Sequence, residues 1–265
     1  MIIDQIVDRT QLRIAQEKKK RKITEVRLRA EEMPRGNFPV EQILRQKELT
    51  FICEVKKASP STGVIAPYFP YVKMAQEYAQ AGAALMSVWT EPYFFLGSGS
   101  YLKEIVAKVP VPAIAKDFVI DPYQIYEAKC LGASGIFLMS SILADSRLME
   151  FIQLAVQLGL TPLVEVYTEE EISRALRANA QVLVINNRNQ ETFQVDVRRS
   201  AKFSAGIPEE VIRISEGGIQ TREHVQMLKK SGMDGILISE LLMRSQDRMN
   251  IIRKLNGEEG KKLAQ

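Results

Sequence analysis

The sequence predicts an α/β fold, a closed (β/α)8 barrel of TIM type with an N-terminal helical extension. Three observations predict it. Short apolar runs recur eight times from about residue 50 onward, helical patterns lie between them, and no stretch rich in Gly, Ser or Pro marks off a second domain. Eight units spread over about 200 residues favour a closed barrel over an open doubly wound sheet. The expected organisation is one barrel domain over residues 1–265, with 1–47 as the helical extension.

The elements follow in order. Before the barrel, one or two helices are joined by "EEMPRGNFPV", whose Pro and Gly break the helical pattern. The first strand, "FICEVK", alternates its side chains, so Phe51, Cys53 and Val55 share an apolar face while Ile52, Glu54 and Lys56 share the other. The remaining runs are "ALMSVWT", "PAIAKDF", "GIFLMS", "PLVEVY", "VLVINN", "VIRISE" and "GILIS". Between them, "YVKMAQEYAQAGA" stops at Gly82 and "DPYQIYEAKCLGA" opens on an Asp cap with Pro in its first turn. "DSRLMEFIQLAVQLG" stops at Gly159, "TEEEISRALRANA" opens like a capping box, and "TREHVQMLKKSG" stops at Gly232. No Gly-x-Gly-x-x-Gly follows the first strand, which argues against a dinucleotide site.

Composition excludes several classes. With 46% apolar and 26% charged residues the chain reads as globular and soluble, and 36 basic against 32 acidic residues is too small an excess to imply nucleic acid. The run "EKKKRKITEVRLRA" is interrupted by glutamates and reads as a solvated helix face. Cys53 and Cys130 are far apart and expected to be buried free thiols in a reducing compartment. The N-terminus lacks the order of a signal peptide, and no apolar run reaches the ~18 residues of a membrane span. The expectation is a cytoplasmic protein with no nucleic-acid or membrane partner, a monomer or weak homodimer.

In such a barrel the chemistry sits where the strands end and the βα loops begin. Those positions hold Glu54, Lys56 and Ser59 after the first strand, Lys116 after the third and Glu165 after the fifth. The sixth gives Asn186, Asn187 and Arg188, the seventh Ser215, Glu216, Gly217 and Gly218, and the eighth Ser239 and Glu240. Ionised groups embedded in apolar runs on separate strands are tolerated mainly where they meet one another or a ligand.

The only histidine, His224, falls in a helix and reads as a surface residue, so acid–base work falls to lysine and carboxylate, with lowered lysine and raised glutamate pKa values expected. No cluster has metal-ligand spacing, and no serine has a histidine partner. A Schiff-base lysine is the other enzyme chemistry these residues allow. The paired glycines of "SEGGI", with Arg188 near, point to a phosphorylated small molecule.

The stretches "CEVKKASPSTGVI", "SVWTEPYFFLGS", "PAIAKDFVIDPYQIYEAKCLGA", "PLVEVYTEEE", "INNRNQETFQVD" and "ISEGGI" together resemble indole-3-glycerol-phosphate synthase of tryptophan biosynthesis, from about residue 35 to about 245. The resemblance implies a barrel whose N-terminal helices lie over the mouth. It also implies a lyase that closes the ring of a phosphorylated aromatic substrate, 1-(2-carboxyphenylamino)-1-deoxyribulose 5-phosphate, with loss of carbon dioxide and water and without cofactor. It makes Lys116 the general acid at the ketone oxygen and Glu165 the acid–base partner in dehydration. Lys56 would contact the substrate carboxylate, Glu54 orient the lysines, and Asn186 and Glu216 complete the catalytic set. Ser59 and Phe118 would contact substrate, and Arg188, Gly217, Gly218, Ser239 and Glu240 would surround the phosphate.

Four positions depart from the family pattern. Gly217 stands where the family usually has Ser, Tyr167 where it has His, and "SELLM" replaces a loop that usually reads Gly-(Glu/Ser/Thr)-Ser-Leu-Met. Ser239 is expected to crowd the phosphate, Leu241 to remove a hydroxyl, and Glu240 to repel the phosphate unless turned away. These departures motivate the alternative of a divergent paralogue on the same barrel, with an altered phosphate site and a different substrate or little activity. A non-catalytic scaffold docking through its basic N-terminal helix is a third reading, opposed by the intact acid–base set.

Overall fold

The computed structural model describes residues 2–46, 48–190, 192 and 194–258. Residues 1, 47, 191, 193 and 259–265 of the expected domain lie outside them. Three helices precede the barrel, where one or two were expected: α1 (Ile2–Lys20), α2 (Ile23–Glu32) and α3 (Pro39–Leu44). Strand β1 (Thr50–Val55) is followed by a small antiparallel hairpin, β2 (Ala58–Ser59) and β3 (Gly63–Val64), inside the first βα loop. The barrel continues through β4 (Leu85–Trp89), β5 (Ala113–Lys116), β6 (Gly135–Met139), β7 (Thr161–Val166), β8 (Val182–Asn186), β9 (Ile212–Glu216) and β10 (Gly235–Ile238). All eight predicted strands form. They pair in parallel, and β1 closes the ring by bonding to both β4 and β10, with Glu54 opposite Ser87 and Ile52 opposite Leu237.

The outer layer comprises α4 (Tyr71–Gln80), α5 (Gly99–Lys108), α6 (Pro122–Cys130), α7 (Asp145–Gln157), α8 (Glu169–Arg177), α9 (Arg198–Ser204), α10 (Arg222–Lys230), α11 (Glu240–Arg244) and α12 (Arg248–Asn256). The predicted caps hold. Asp121 accepts from the Tyr123 N–H while Gln124 reaches back to Asp121, and the Thr168 hydroxyl accepts from the Glu171 N–H at 3.1 Å.

The alternation along β1 sorts its residues as expected. Phe51, Cys53 and Val55 join the large core between strands and helices, and Ile52 joins the barrel interior. Phe137, Ile114, Leu163 and Ile214 share that interior, and each such side chain contributes about 1.5–3 kcal/mol by leaving water. Cys130 is half-buried rather than buried, its thiol donating to the Val26 carbonyl, and both cysteines are free.

The N-terminal segment does more than cover the mouth. Helix α1 lies across it, where one terminal nitrogen of Arg13 reaches both oxygens of Asp117 at 2.9 and 2.8 Å, and Lys18 pairs with Asp121 at 2.6 Å. Helix α2 descends along α6. Gly36 then passes so close to Gly159 that an added Cβ would lie 2.4 Å from the Gly159 carbonyl oxygen. Finally α3 places Val40 and Leu44 in the barrel interior, plugging the end opposite the mouth.

Candidate active site

Lys116 ends β5 with its side chain 1% exposed, inside the barrel mouth. Its ammonium lies 2.6 Å from Glu216 Oε1 and 3.1 Å from Glu54 Oε1, and it rests over the Phe137 ring, 4.4 Å from its centroid. Glu54 in turn pairs through Oε2 with Lys56 at 3.1 Å and accepts a hydrogen bond from the Ser239 hydroxyl at 2.5 Å. On the other side, Glu165 Oε1 accepts from the Asn186 amide at 2.7 Å and from the Tyr167 hydroxyl at 2.6 Å. Glu165 Oε2 and Glu216 Oε2 are buried without a hydrogen-bond partner, and both residues line the central cavity.

The electrostatics divide the carboxylates. Burial alone would lower Lys116, but Glu216, Glu54 and Glu165 outweigh it and hold the ammonium above the usual lysine range. This corrects the expected lowering, because the lysine meets carboxylates and not other cations. Burial likewise opposes ionisation of Glu54, yet Lys116, Lys56 and the Ser239 hydroxyl hold it below the ordinary carboxylate range. For Glu216 burial wins over the attraction of Lys116 and raises the carboxyl to about 7.

A cavity of about 170 Å³ lies above these groups, and every one of Lys116, Glu165, Lys56, Glu54, Asn186 and Glu216 lines it, with Ser59, Phe118, Arg188 and Glu240. An adjoining cavity of about 340 Å³ shares Lys56, Asn186, Arg188, Glu216 and Glu240 with it, and adds Gly217, Gly218 and Ser239. Thus all thirteen candidate residues fall on two connected spaces. His224 is half-buried and takes a hydrogen bond from the Gln220 N–H, away from the central cavity.

One wall of the central cavity was, apart from Phe118, not assigned from the sequence. Trp89 and Phe95 stack with centroids 3.6 Å apart, Phe118 tilts against both, and Met139 and Ile6 complete the apolar cluster. The loop carrying Phe95 is held by buried Glu91, whose carboxylate accepts the N–H groups of Tyr93, Phe94 and Phe95 at 2.7–2.8 Å. The aromatic density of "SVWTEPYFF" was the available signal. Ile2, Ile3 and Ile6 of α1 roof the space.

At the second cavity Gly217 and Gly218 both have positive φ, 94° and 74°, and the Asn187 amide donates to the Gly217 carbonyl at 3.0 Å. Asn187 is itself anchored by the Ser200 hydroxyl and by its own bond to Ser215. The carboxylate of Glu240 turns to Arg244, which donates to it at 2.7 and 2.9 Å. Leu241 packs against the helical-layer core, and the Ser239 hydroxyl is committed to Glu54. Among the described residues no group of three or more His, Cys, Asp or Glu could hold a metal ion.

A family model described as "Indole-3-glycerol phosphate synthase" matches residues 3–255. The chain is 42% identical over 258 residues to the indole-3-glycerol phosphate synthase of Ruminiclostridium cellulolyticum, covering 97% of this chain and 99% of that one. It is 45% identical over 253 residues to that of Lacticaseibacillus casei, covering 95% and 97%. Among solved structures, 3-hexulose-6-phosphate synthase from Salmonella typhimurium matches at a TM-score of 0.65 and 13% identity, covering 79% of this chain and 98% of that one, a likeness of fold alone.

Proposed function

The chain belongs to the indole-3-glycerol phosphate synthase family, and we propose on that footing which residue performs each step. The reaction is a ring closure of 1-(2-carboxyphenylamino)-1-deoxyribulose 5-phosphate, with loss of carbon dioxide and water, in tryptophan biosynthesis. The observation that carries the assignment is a buried ammonium, Lys116, set between Glu54 and Glu216 and facing Glu165 beneath an aromatic wall.

The aromatic ring of the substrate packs against Trp89, Phe95 and Phe118, with its carboxylate toward Lys56 and Ser59. Attack of the ring carbon on the ketone leaves charge on the ketone oxygen, and Lys116 supplies the proton there. Its three carboxylate neighbours keep that proton on the lysine until an alkoxide, a stronger acceptor than a carboxylate, develops. Loss of carbon dioxide follows. The new hydroxyl then leaves as water as Glu165 exchanges protons with the ring-closed intermediate, and the indole becomes aromatic. Arg188, Gly217 and Gly218 hold the phosphate, helped by the backbone next to Ser239 and Glu240. These bond changes are acid–base throughout and call for no cofactor.

On the same reading the enzyme works in the cytoplasm as a monomer or weak homodimer, and the free thiols of Cys53 and Cys130 suit a reducing compartment. The test is to incubate the protein with the substrate and follow indole fluorescence, beside Lys116→Ala and Glu165→Gln. Wild type should turn over at least a thousandfold faster, on the order of the contribution of a general acid or base. Equal rates in all three would overturn the assignment.

A further inference from the structure

Tyr167 stands where the family usually carries His, and nothing in the acid–base assignment above uses it. It follows β7 two residues after Glu165, so both side chains leave the strand on the barrel's inner face. Its main chain is clamped at both groups. The N–H donates to Glu171 Oε2 at 2.7 Å, and the carbonyl accepts from Arg199 Nη2 at 2.5 Å. Glu171 is fixed in turn by the Ser140 hydroxyl at 2.9 Å. The phenol therefore enters the cavity from a rigid base, and its hydroxyl donates to Glu165 Oε1 at 2.6 Å.

The Asn186 amide donates to that same oxygen at 2.7 Å and lies 3.5 Å from the phenol oxygen. Two donors thus converge on Oε1, while Oε2 of the same buried carboxylate has no hydrogen-bond partner. A carboxylate with two free oxygens can rotate and offer either. This one cannot rotate without breaking two short bonds.

We propose that Tyr167 is the positioning residue of Glu165: with Asn186 it occupies Oε1 and thereby commits Oε2 alone to the proton exchange that completes the indole. The proposal rests on the assignment of Glu165 given above. Burial beside Glu165 holds the phenol well above its ordinary range, so it acts as a donor throughout the working pH range and does not itself take the substrate's proton. The chain has thus placed a longer side chain, whose phenol keeps its proton, where an imidazole could give up or take one.

The experiment combines Tyr167→Phe, Glu165→Gln and the double variant, with kcat and KM from indole fluorescence over pH 5–9 and product affinity from equilibrium titration. Tyr167→Phe keeps the ring that fills the space. It should lower kcat about tenfold, leave KM and product affinity within about twofold, and move the acid limb of kcat to higher pH, since a donor to the ionised carboxylate has gone. In the Glu165→Gln background the same change should have little further effect. An unshifted limb with unchanged kcat, an equal loss of product affinity, or a full tenfold loss in the double variant would each overturn the proposal. Failure of the underlying assignment looks different: Glu165→Gln would itself turn over near the wild-type rate.

Discussion

The Ser239 hydroxyl and Glu54 Oε2, 2.5 Å apart, tie the residue after the last barrel strand to the first strand. The bond crosses the seam where β10 meets β1 and fixes the carboxylate that flanks both Lys56 and Lys116. Two outcomes for Ser239→Gly are therefore opposed. Were the side chain an obstruction to phosphate, KM would fall and kcat would stay. Because the hydroxyl serves Glu54, kcat should fall about tenfold, the worth of a charge-assisted hydrogen bond, with KM nearly constant. Steady-state kinetics on the one variant separates the two.

Lys116→Met should be unstable as well as inactive, and more so at high pH. Removing the ammonium leaves Glu216 buried and uncompensated, and Glu54 with Lys56 as its one cation, which costs about 3–5 kcal/mol. Glu216 already sits raised to about 7 against an ordinary carboxyl near 4.5, and losing Lys116 raises it further. A raised carboxyl binds more protons folded than unfolded, so stability falls as pH climbs from the unfolded value through the folded one. Thermal melts should show a smaller deficit from wild type at pH 5 than at pH 8. A deficit independent of pH would mean that the carboxylates are not what the lysine neutralises.

Much of this was legible in the sequence because the relevant signals are local. Eight strands, the Asp121 and Thr168 caps and the inward face of Glu54 follow from side-chain periodicity and short-range hydrogen bonding. Helix α5 was not marked out, since its start "GSGS" reads as loop until Ser98 is seen accepting the Ser100 N–H. The pairing partners of Tyr167 and Ser239 were invisible for another reason. Whether a hydroxyl meets a phosphate or a carboxylate depends on side-chain direction, and the sequence gives only its place on the strand. The direction of the Lys116 shift was misjudged similarly, because it depends on which charges converge from β1, β7 and β9.

Gly218→Ala should damage the phosphate end specifically. At φ 74° a side chain is strained, and its Cβ would fall 2.3 Å from Val195 Cγ1 and 3.1 Å from Val197 Cγ2. Relieving that overlap moves the turn that presents backbone N–H groups to the ligand, at a cost of about 1–3 kcal/mol. KM should rise roughly tenfold or more, and inorganic phosphate should lose its ability to compete with substrate. Unaltered KM would place the phosphate elsewhere.

Arg13→Met should free α1 while leaving the barrel folded. Arg13 and Asp117 are both nearly buried, and Asp117 lies between Lys116 and Phe118 in sequence, so the pair fastens the roof of the cavity to the strand end carrying Lys116. Asp117 also accepts from the Thr90 hydroxyl and the Phe118 N–H, which keeps it in place once the guanidinium is gone. Of the remaining α1 ties, the Lys18–Asp121 pair is half-exposed and weak, which leaves Arg9 over the Tyr93 ring and the apolar side chains of Ile2, Ile6 and Ile14 to hold the helix. Limited proteolysis should then cut within residues 2–20 about tenfold faster, with kcat reduced because the roof no longer excludes water. Adding Asp117→Asn should not speed the digestion further, since the two residues hold α1 through one contact. An unchanged digestion pattern in the single variant would show that α1 is held by its apolar face, and that the ion pair serves only the β5 end.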